Sequence, residues 1–144
     1  MLMIHSVFRT QFTEALRLLR AAPAGDRERA GVLGPLVLEL AEALHRHHHG
    51  EDELLWDRLE SKAPGCAAHV EQMRVQHAEV ARLLAVVEAT APAWIASGDA
   101  ADRDAVVAAV QAVYDALVVH LGDEETEILP VAAVTLTAAG SRRP

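Results

Sequence analysis

Cysteine, aromatic residues and basic charge are all scarce in this chain of 144 residues, and each scarcity narrows what it can be. The single cysteine, Cys66, leaves no partner for an internal disulfide and no thiolate cluster for structural zinc. Phe, Trp and Tyr together make up 3% of the residues, and β-branched residues nowhere alternate with polar ones over a sustained run, which argues against sheets. Lys and Arg number 13 against 21 Asp and Glu, a formal charge of −8, so a nucleic-acid partner has little electrostatic support. Arg142 and Arg143 sit on an expected C-terminal tail and do not change that balance. The longest apolar stretch, Ala105 to Val119, is broken by Gln111 and Asp115 and is short for a bilayer. Met1-Leu2-Met3-Ile4-His5 lacks the basic and apolar regions of a secretory leader. The expectation is a cytoplasmic, soluble protein, monomeric or weakly homodimeric, with neither a nucleic-acid nor a membrane partner.

What is abundant is Ala, Leu and Val in helical spacing, within a hydrophobic share of 51%. The first pattern runs from about Ile4 to Ala22, with His5, Phe8, Phe12, Leu16 and Leu19 on one face. A second runs from Asp26, a plausible N-cap, to Lys62, with Val37, Leu40, Leu44, His47 or His48, Glu51 and Leu55 in line. Gly34-Pro35 predicts a kink there or a separate short helix before it. The third begins at Pro64 and reaches Ser97-Gly98, carrying His69, Met73, His77, Val80, Leu84 and Val87, with Pro92 expected to bend or end it. The fourth starts after Asp99 and lines up Val106, Val110, Val113, Leu117, His120, Glu124 and Ile128, with a kink expected at Pro130. Short breaks between four such patterns predict an all-α, antiparallel up-down-up-down four-helix bundle. It is read as one domain over residues 1–144, with an ordered core from about 3 to 138.

The informative feature is where the core stripes stop being apolar. His47 precedes Glu51 by four residues, and His120 precedes Glu124 by four, so each pair projects from one face about a turn apart. Burying an unpaired carboxylate costs several kcal/mol, roughly, unless a cation compensates. In an antiparallel bundle His5, His47, Glu51, His77, His120 and Glu124 fall at one level. Four imidazoles and two carboxylates exceed the needs of one tetrahedral zinc. They suit two first-row metals bridged by carboxylates, with iron favoured by the mixed N,O donors and manganese or zinc as alternatives.

These residues resemble the hemerythrin-like, or HHE cation-binding, proteins. His120-Leu-Gly-Asp-Glu124-Glu-Thr-Glu-Ile-Leu-Pro130 is similar to the family's fourth-helix motif throughout. His47-His-His-Gly-Glu51-Asp-Glu-Leu-Leu-Trp56 has the second-helix spacing, with Asp57 where proline often follows; Gln76-His77-Ala-Glu and His5-Ser-Val-Phe-Arg-Thr-Gln-Phe12 resemble the third and first motifs. The resemblance implies a di-iron centre with His5, His47, His77 and His120 as terminal ligands and Glu51 and Glu124 as bridges. Oxygen-carrying hemerythrins have a histidine where this chain has Met73, and on the last helix an aspartate five after the histidine where this chain has Glu124 four after His120. One fewer histidine leaves a coordination position open, which favours redox chemistry over reversible oxygen carriage.

Four histidines crowd His45 to His49, and they cannot all face inward, since successive helical residues diverge by about 100°. His47 is chosen for its spacing to Glu51, while His48 stands four before Asp52 and is its rival. His69 is a further candidate ligand or a surface residue, and Met73 and Trp94 read as core. Tyr114 and Trp56 either pack or line the site, and Asp123 to Glu127 reads as an exposed acidic face apart from Glu124. A ferritin-like arrangement needs Glu-x-x-His on two helices, and Glu42-Ala-Leu-His45 is the one match. The expected function is binding of O2, NO or peroxide, or a redox enzyme with an unidentified redox partner; an iron buffer is the third reading.

Overall fold

The computed structural model describes residues 1–140, with side chains to residue 136. Arg142 and Arg143 of the expected tail lie outside the described residues. Among those residues the chain is helical without strands, as expected. The helices are α1 (Leu2–Ala21), α2 (Arg27–Gly50), α3 (Trp56–Lys62), α4 (Ala67–Ser97), α5 (Ala100–Asp123) and α6 (Leu129–Gly140). Two π-turns, Glu51–Leu55 and Glu124–Ile128, splice α2 to α3 and α5 to α6, and a short 3-10 turn, Pro64–Cys66, leads into α4. The six helices therefore make four rods. Rod three (α4) packs on rods two and four, and α1 packs on α5 and α2, which closes a four-helix bundle.

Local chemistry sets the ends of the rods. The Asp26 carboxylate accepts the Arg29 backbone N–H at 2.9 Å, as its N-cap position predicts. Gly98 ends α4 in the left-handed region at φ 67°, and its carbonyl accepts the Gly25 N–H at 2.9 Å, which ties the two loops at this end together. Pro35 and Pro92 lie inside unbroken helices, so the chain neither forms a separate helix before Gly34 nor ends α4 at Pro92. Both rings are exposed, where water can satisfy the carbonyl that each proline leaves free.

The apolar stripes of the first and fourth rods are buried as the spacing predicts. Rod two differs. Leu40 and Leu55 are only partly covered, and Ala41 and Trp56 occupy the interior instead. Glu51 and Trp56 are five residues apart, so the π-turn between them brings both inside where an α-helical register would bring Leu55. The interior holds two apolar clusters. The larger runs from Leu19, Trp94 and Val106 to Phe8, Leu44 and Leu121; the smaller gathers Trp56, Leu59, Cys66, Val70, Met73 and Ile128. The buried histidines and glutamates form a layer between them.

Pro64–Ser97 and Ala100–Leu136 are each long and apolar enough to cross a bilayer by length and composition, which the sequence expectation overlooked. In this fold both are bundle rods with polar site residues on their inner faces.

A Cβ at Gly98 would stand 2.8 Å from the backbone nitrogen of Arg27, in a conformation that side chains rarely adopt. Gly98→Ala is therefore expected to cost roughly 1–3 kcal/mol in urea unfolding. Its metal content should not change, because the substitution lies at the end of the bundle away from the histidine layer.

Candidate metal centre

Among the described residues, six polar side chains are buried in the bundle: His5, His48, Glu51, His77, His120 and Glu124. His5 comes from the second turn of α1, His48 from the end of α2, His77 from α4 and His120 from the end of α5. Both glutamates are the first residues of the two π-turns. Their own N–H groups are still shared with carbonyls three and four residues back: Glu51 with His47 and His48, Glu124 with His120 and Leu121. The widened turn that follows lets each glutamate stay inward while the rest of its rod turns Trp56 or Ile128 inward as well. Isolated π-turns of this kind gather at functional sites.

The layer has two halves. In one, the His5 and His47 rings lie edge to face at 5.8 Å, and Phe8 backs His47 at 5.5 Å. In the other, His48 stacks on His77 at 4.0 Å, and His120 closes edge-on at 4.9 Å from His48 and 4.5 Å from His77. Each glutamate spans the halves. Glu124 places Oε1 3.7 Å from Nε2 of His5 and Oε2 3.2 Å from Nε2 of His120. Glu51 Oε1 lies 3.4 Å from Nε2 of His47 and 3.5 Å from Nε2 of His77. Donor atoms of His48, Glu51, His77 and His120 all fall within 4.8 Å of one another.

Three of these imidazoles are held from outside through Nδ1. His5 bonds Glu125 at 3.1 Å, and Arg9 grips the same carboxylate with two N–H bonds at 2.7 and 2.9 Å. His77 bonds Asp52 Oδ1 at 2.7 Å, an oxygen that also accepts the indole N–H of Trp56 at 2.7 Å. His120 bonds the Gln76 amide oxygen at 2.8 Å, while the Gln76 nitrogen donates to Asp123 at 2.7 Å. With Nδ1 engaged outward, Nε2 faces the layer, the arrangement that orients metal-binding histidines. Spacing gives no sign of these roles, because polar residues on a rod's flank read as solvated. The usable signal is adjacency: Asp52 follows Glu51, Gln76 precedes His77, and Asp123 and Glu125 flank Glu124.

Inside the layer the hydrogen-bond account does not close. Nε2 of His5, His47 and His48 and all four carboxylate oxygens of Glu51 and Glu124 are buried without a partner. Nε2 of His77 and Nε2 of His120 lie 2.9 Å apart, a contact in which at most one of the two can donate, and beyond it each has only a glutamate oxygen, at 3.5 and 3.2 Å. Buried polar groups in folded proteins are otherwise almost always paired. Burial, with Glu124 beside it, pushes the Glu51 carboxyl up to about 10. Burial and His120 push His77 down to about 4, and burial with His77 and His120 takes His48 far below the usual imidazole range. Burial works against charge on Glu124 too, but His120, Glu51 and His5 around it hold its carboxyl below the usual carboxylate range. One ionised carboxylate among neutral imidazoles and a neutral carboxyl has no cation of the protein's own to face. Neutral imidazole nitrogens and carboxylate oxygens, all facing one space, are the donors a cation from elsewhere needs.

The family model for the hemerythrin HHE cation-binding domain matches residues 1–132. The chain belongs to that family. Comparison with curated proteins and with solved structures gave no match. Hemerythrin-like membership implies a metal centre, iron above all, and this domain has a cluster of histidines and glutamates able to hold one.

The structure brings all six expected positions of this hemerythrin-like domain to the layer, His47 at its margin with 16% of its side chain exposed. It also brings in His48, more deeply than His47, since a stripe about 100° wide admits both, and of the two it is His48 whose donor atom joins the compact cluster with Glu51, His77 and His120. His48 does not pair with Asp52, which serves His77 and Trp56. His69 is exposed and bonds Glu127 at 3.2 Å, outside the group of buried donors. Met73 is core, as read, and Asp123 and Glu125 are bonded into the site's surroundings and are not merely solvated.

Asp52→Ala and Glu125→Ala should each weaken metal binding by about 10–100-fold while the fold persists, measured by competition with a coloured chelator. The pH response follows from the same groups. Above pH 6.5 His48 and His77 are neutral in both folded and unfolded chains, but the folded metal-free chain keeps a proton on Glu51 that the unfolded chain has released. Its stability should therefore fall as pH rises from about 6.5 toward 10. Below 6.5 the unfolded chain takes protons that His48 and His77 refuse, which outweighs the single Glu51 proton, so stability falls again toward pH 4. Thermal melts of chelator-treated protein should peak near pH 6.5, and the alkaline loss should vanish once metal is bound.

Proposed function

We propose that this chain is a non-haem di-iron protein that binds O2 or a related small ligand, NO or peroxide, at a carboxylate-bridged centre. His5 and His47 would hold one ion, His48, His77 and His120 the other, and Glu51 and Glu124 would lie between them. The observation that carries this reading is that each glutamate reaches imidazoles of both halves, with Glu124 offering a different oxygen to each. An iron pair supplies the electrons and the open coordination that reversible capture or reduction of such a ligand requires. The protein's own part is to fix the imidazoles from outside, to exclude bulk water and to limit access. A cavity of about 140 Å3 beside His48 and His77 suits a ligand of a few atoms and no larger substrate.

His48 bears on the choice between binding and catalysis. It stacks on His77 and adds a fifth imidazole, so the position that Met73 leaves without a histidine on α4 can be filled from α2. That supports ligand binding over turnover. One feature favours the redox alternative: Trp56, an oxidisable side chain, is hydrogen-bonded through Asp52 to His77 with ring centroids 5.8 Å apart.

Metal analysis of protein produced with iron should give two iron atoms per chain. The reduced protein should develop a charge-transfer band in air that disappears under argon. Rapid bleaching with consumption of peroxide would transfer the proposal to the redox reading, and a folded chain without metal would sink both. Glu51→Gln should abolish metal uptake yet raise the melting temperature of the metal-free protein, because it removes a buried ionisable group that has no partner.

A further inference from the structure

A buried centre needs an entry path for its ions. His5, His120 and Glu124 have no exposed surface, and Nε2 of His47 is buried although its ring is 16% exposed, which closes the layer on their side. The cavity between α2 and α4 opens on the other. His48, His77 and Asp52 line it from within, and His45 and His49, both exposed, line it from outside, across from Arg74. His45 and His49 are one turn apart with rings within 8° of parallel and centroids 6.5 Å apart. A turn further on, Glu53 Oε1 lies 3.0 Å from Nε2 of His49. Two histidines four residues apart on one helix face are a recurrent grip for first-row divalent ions. Along α2 the imidazoles thus run from solvent to the interior, ending at His48, whose Nε2 is buried and has no partner.

We propose that His45, His49 and Glu53 form a capture site for divalent first-row cations, which passes them through this cavity to His48 and Glu51. The proposal rests on the metal-centre reading above. A hydrated ion sheds its water one ligand at a time, and imidazoles spaced along the route replace the lost waters. The cavity has room for a few waters beside an ion. Asp52 lines the cavity, and Glu53 and Asp57 stand beside it through their pairs with His49 at 3.0 Å and Arg74 at 3.2 Å, so three carboxylates face the one guanidinium at the mouth. An acidic cleft of this kind raises the local concentration of cations and the rate at which they enter.

The test is rapid mixing of metal-free full-length protein with cobalt(II), followed by the visible absorption of the bound ion. His45→Ala/His49→Ala should slow uptake about tenfold or more. It should slow loss to excess EDTA by the same factor, with unchanged affinity and unchanged cobalt content at saturation. Ala78→Phe, which narrows the cavity and leaves every imidazole in place, should also slow both directions. Wild-type rates in either variant overturn the route. So does a fall in affinity or in final cobalt content in the double variant, which would make these histidines ligands or structural supports. If the wild-type chain binds no cobalt, the centre itself falls; if it binds and only the variant rates are unaltered, the route alone falls.

Discussion

Two carboxylates buried four residues after a histidine, with no hydrogen-bond partner on any oxygen, set the terms for the rest of this structure. Unpaired, they oppose folding, and the suppressed charge on Glu51, His48 and His77 is the form that opposition takes. The bundle tolerates them because the layer is short and apolar packing flanks it on both sides. The large cluster anchors α1, α2, α4 and α5; the small one around Trp56, Met73 and Ile128 seals the far side. On the proposed reading the stability lost in the layer returns when ions bind, so folding and metal affinity are linked quantities and respond to pH together.

The outer hydrogen bonds show how a helical bundle makes a rigid site from flexible side chains. An imidazole on a helix can rotate about two bonds, and packing alone does not choose which nitrogen faces inward. Glu125, Asp52 and Gln76 make that choice for His5, His77 and His120, and each is itself held: Glu125 by Arg9, Asp52 by Trp56, Gln76 by Asp123. Every one of these chains crosses from one rod to another. Site geometry and rod packing are thus the same set of contacts, which is why removing an outer partner should be felt at the centre rather than at the surface.

The fold was legible because the period of the apolar stripes survives in the first, third and fourth rods. Phe8, Phe12, Leu16 and Leu19, or Val106, Val110, Val113 and Leu117, each name one face without ambiguity. The site was legible for a related reason, since a histidine or glutamate that continues such a stripe must be inside. Legibility failed where the helix itself changes pitch. The π-turn after Glu51 moves the interior from Leu55 to Trp56, and no residue within Glu-Asp-Glu-Leu-Leu announces it. It also failed for Asp52, Gln76, Asp123 and Glu125, whose polar character is as natural on a solvated flank as beside a buried imidazole. Spacing alone does not separate His47 from His48, because a face wide enough to meet two neighbouring rods accommodates consecutive residues.

The exchange of Met73 for a histidine position ties these points together. A histidine there would sit on α4, one turn from His77, and would carry a polar ring into the cluster that Trp56, Cys66, Val70 and Ile128 complete. Methionine keeps that cluster dry and fills its irregular space. The imidazole arrives instead from α2, stacked on His77 from the side that opens to the cavity. The donor count can be kept while the donor moves from the sealed side of the layer to the accessible one. An imidazole on the accessible side can yield to an incoming ligand or ion more readily than one walled in by Trp56 and Ile128. On the proposed reading, methionine at position 73 seals the bundle's end and leaves His48 as the point at which the centre meets the outside.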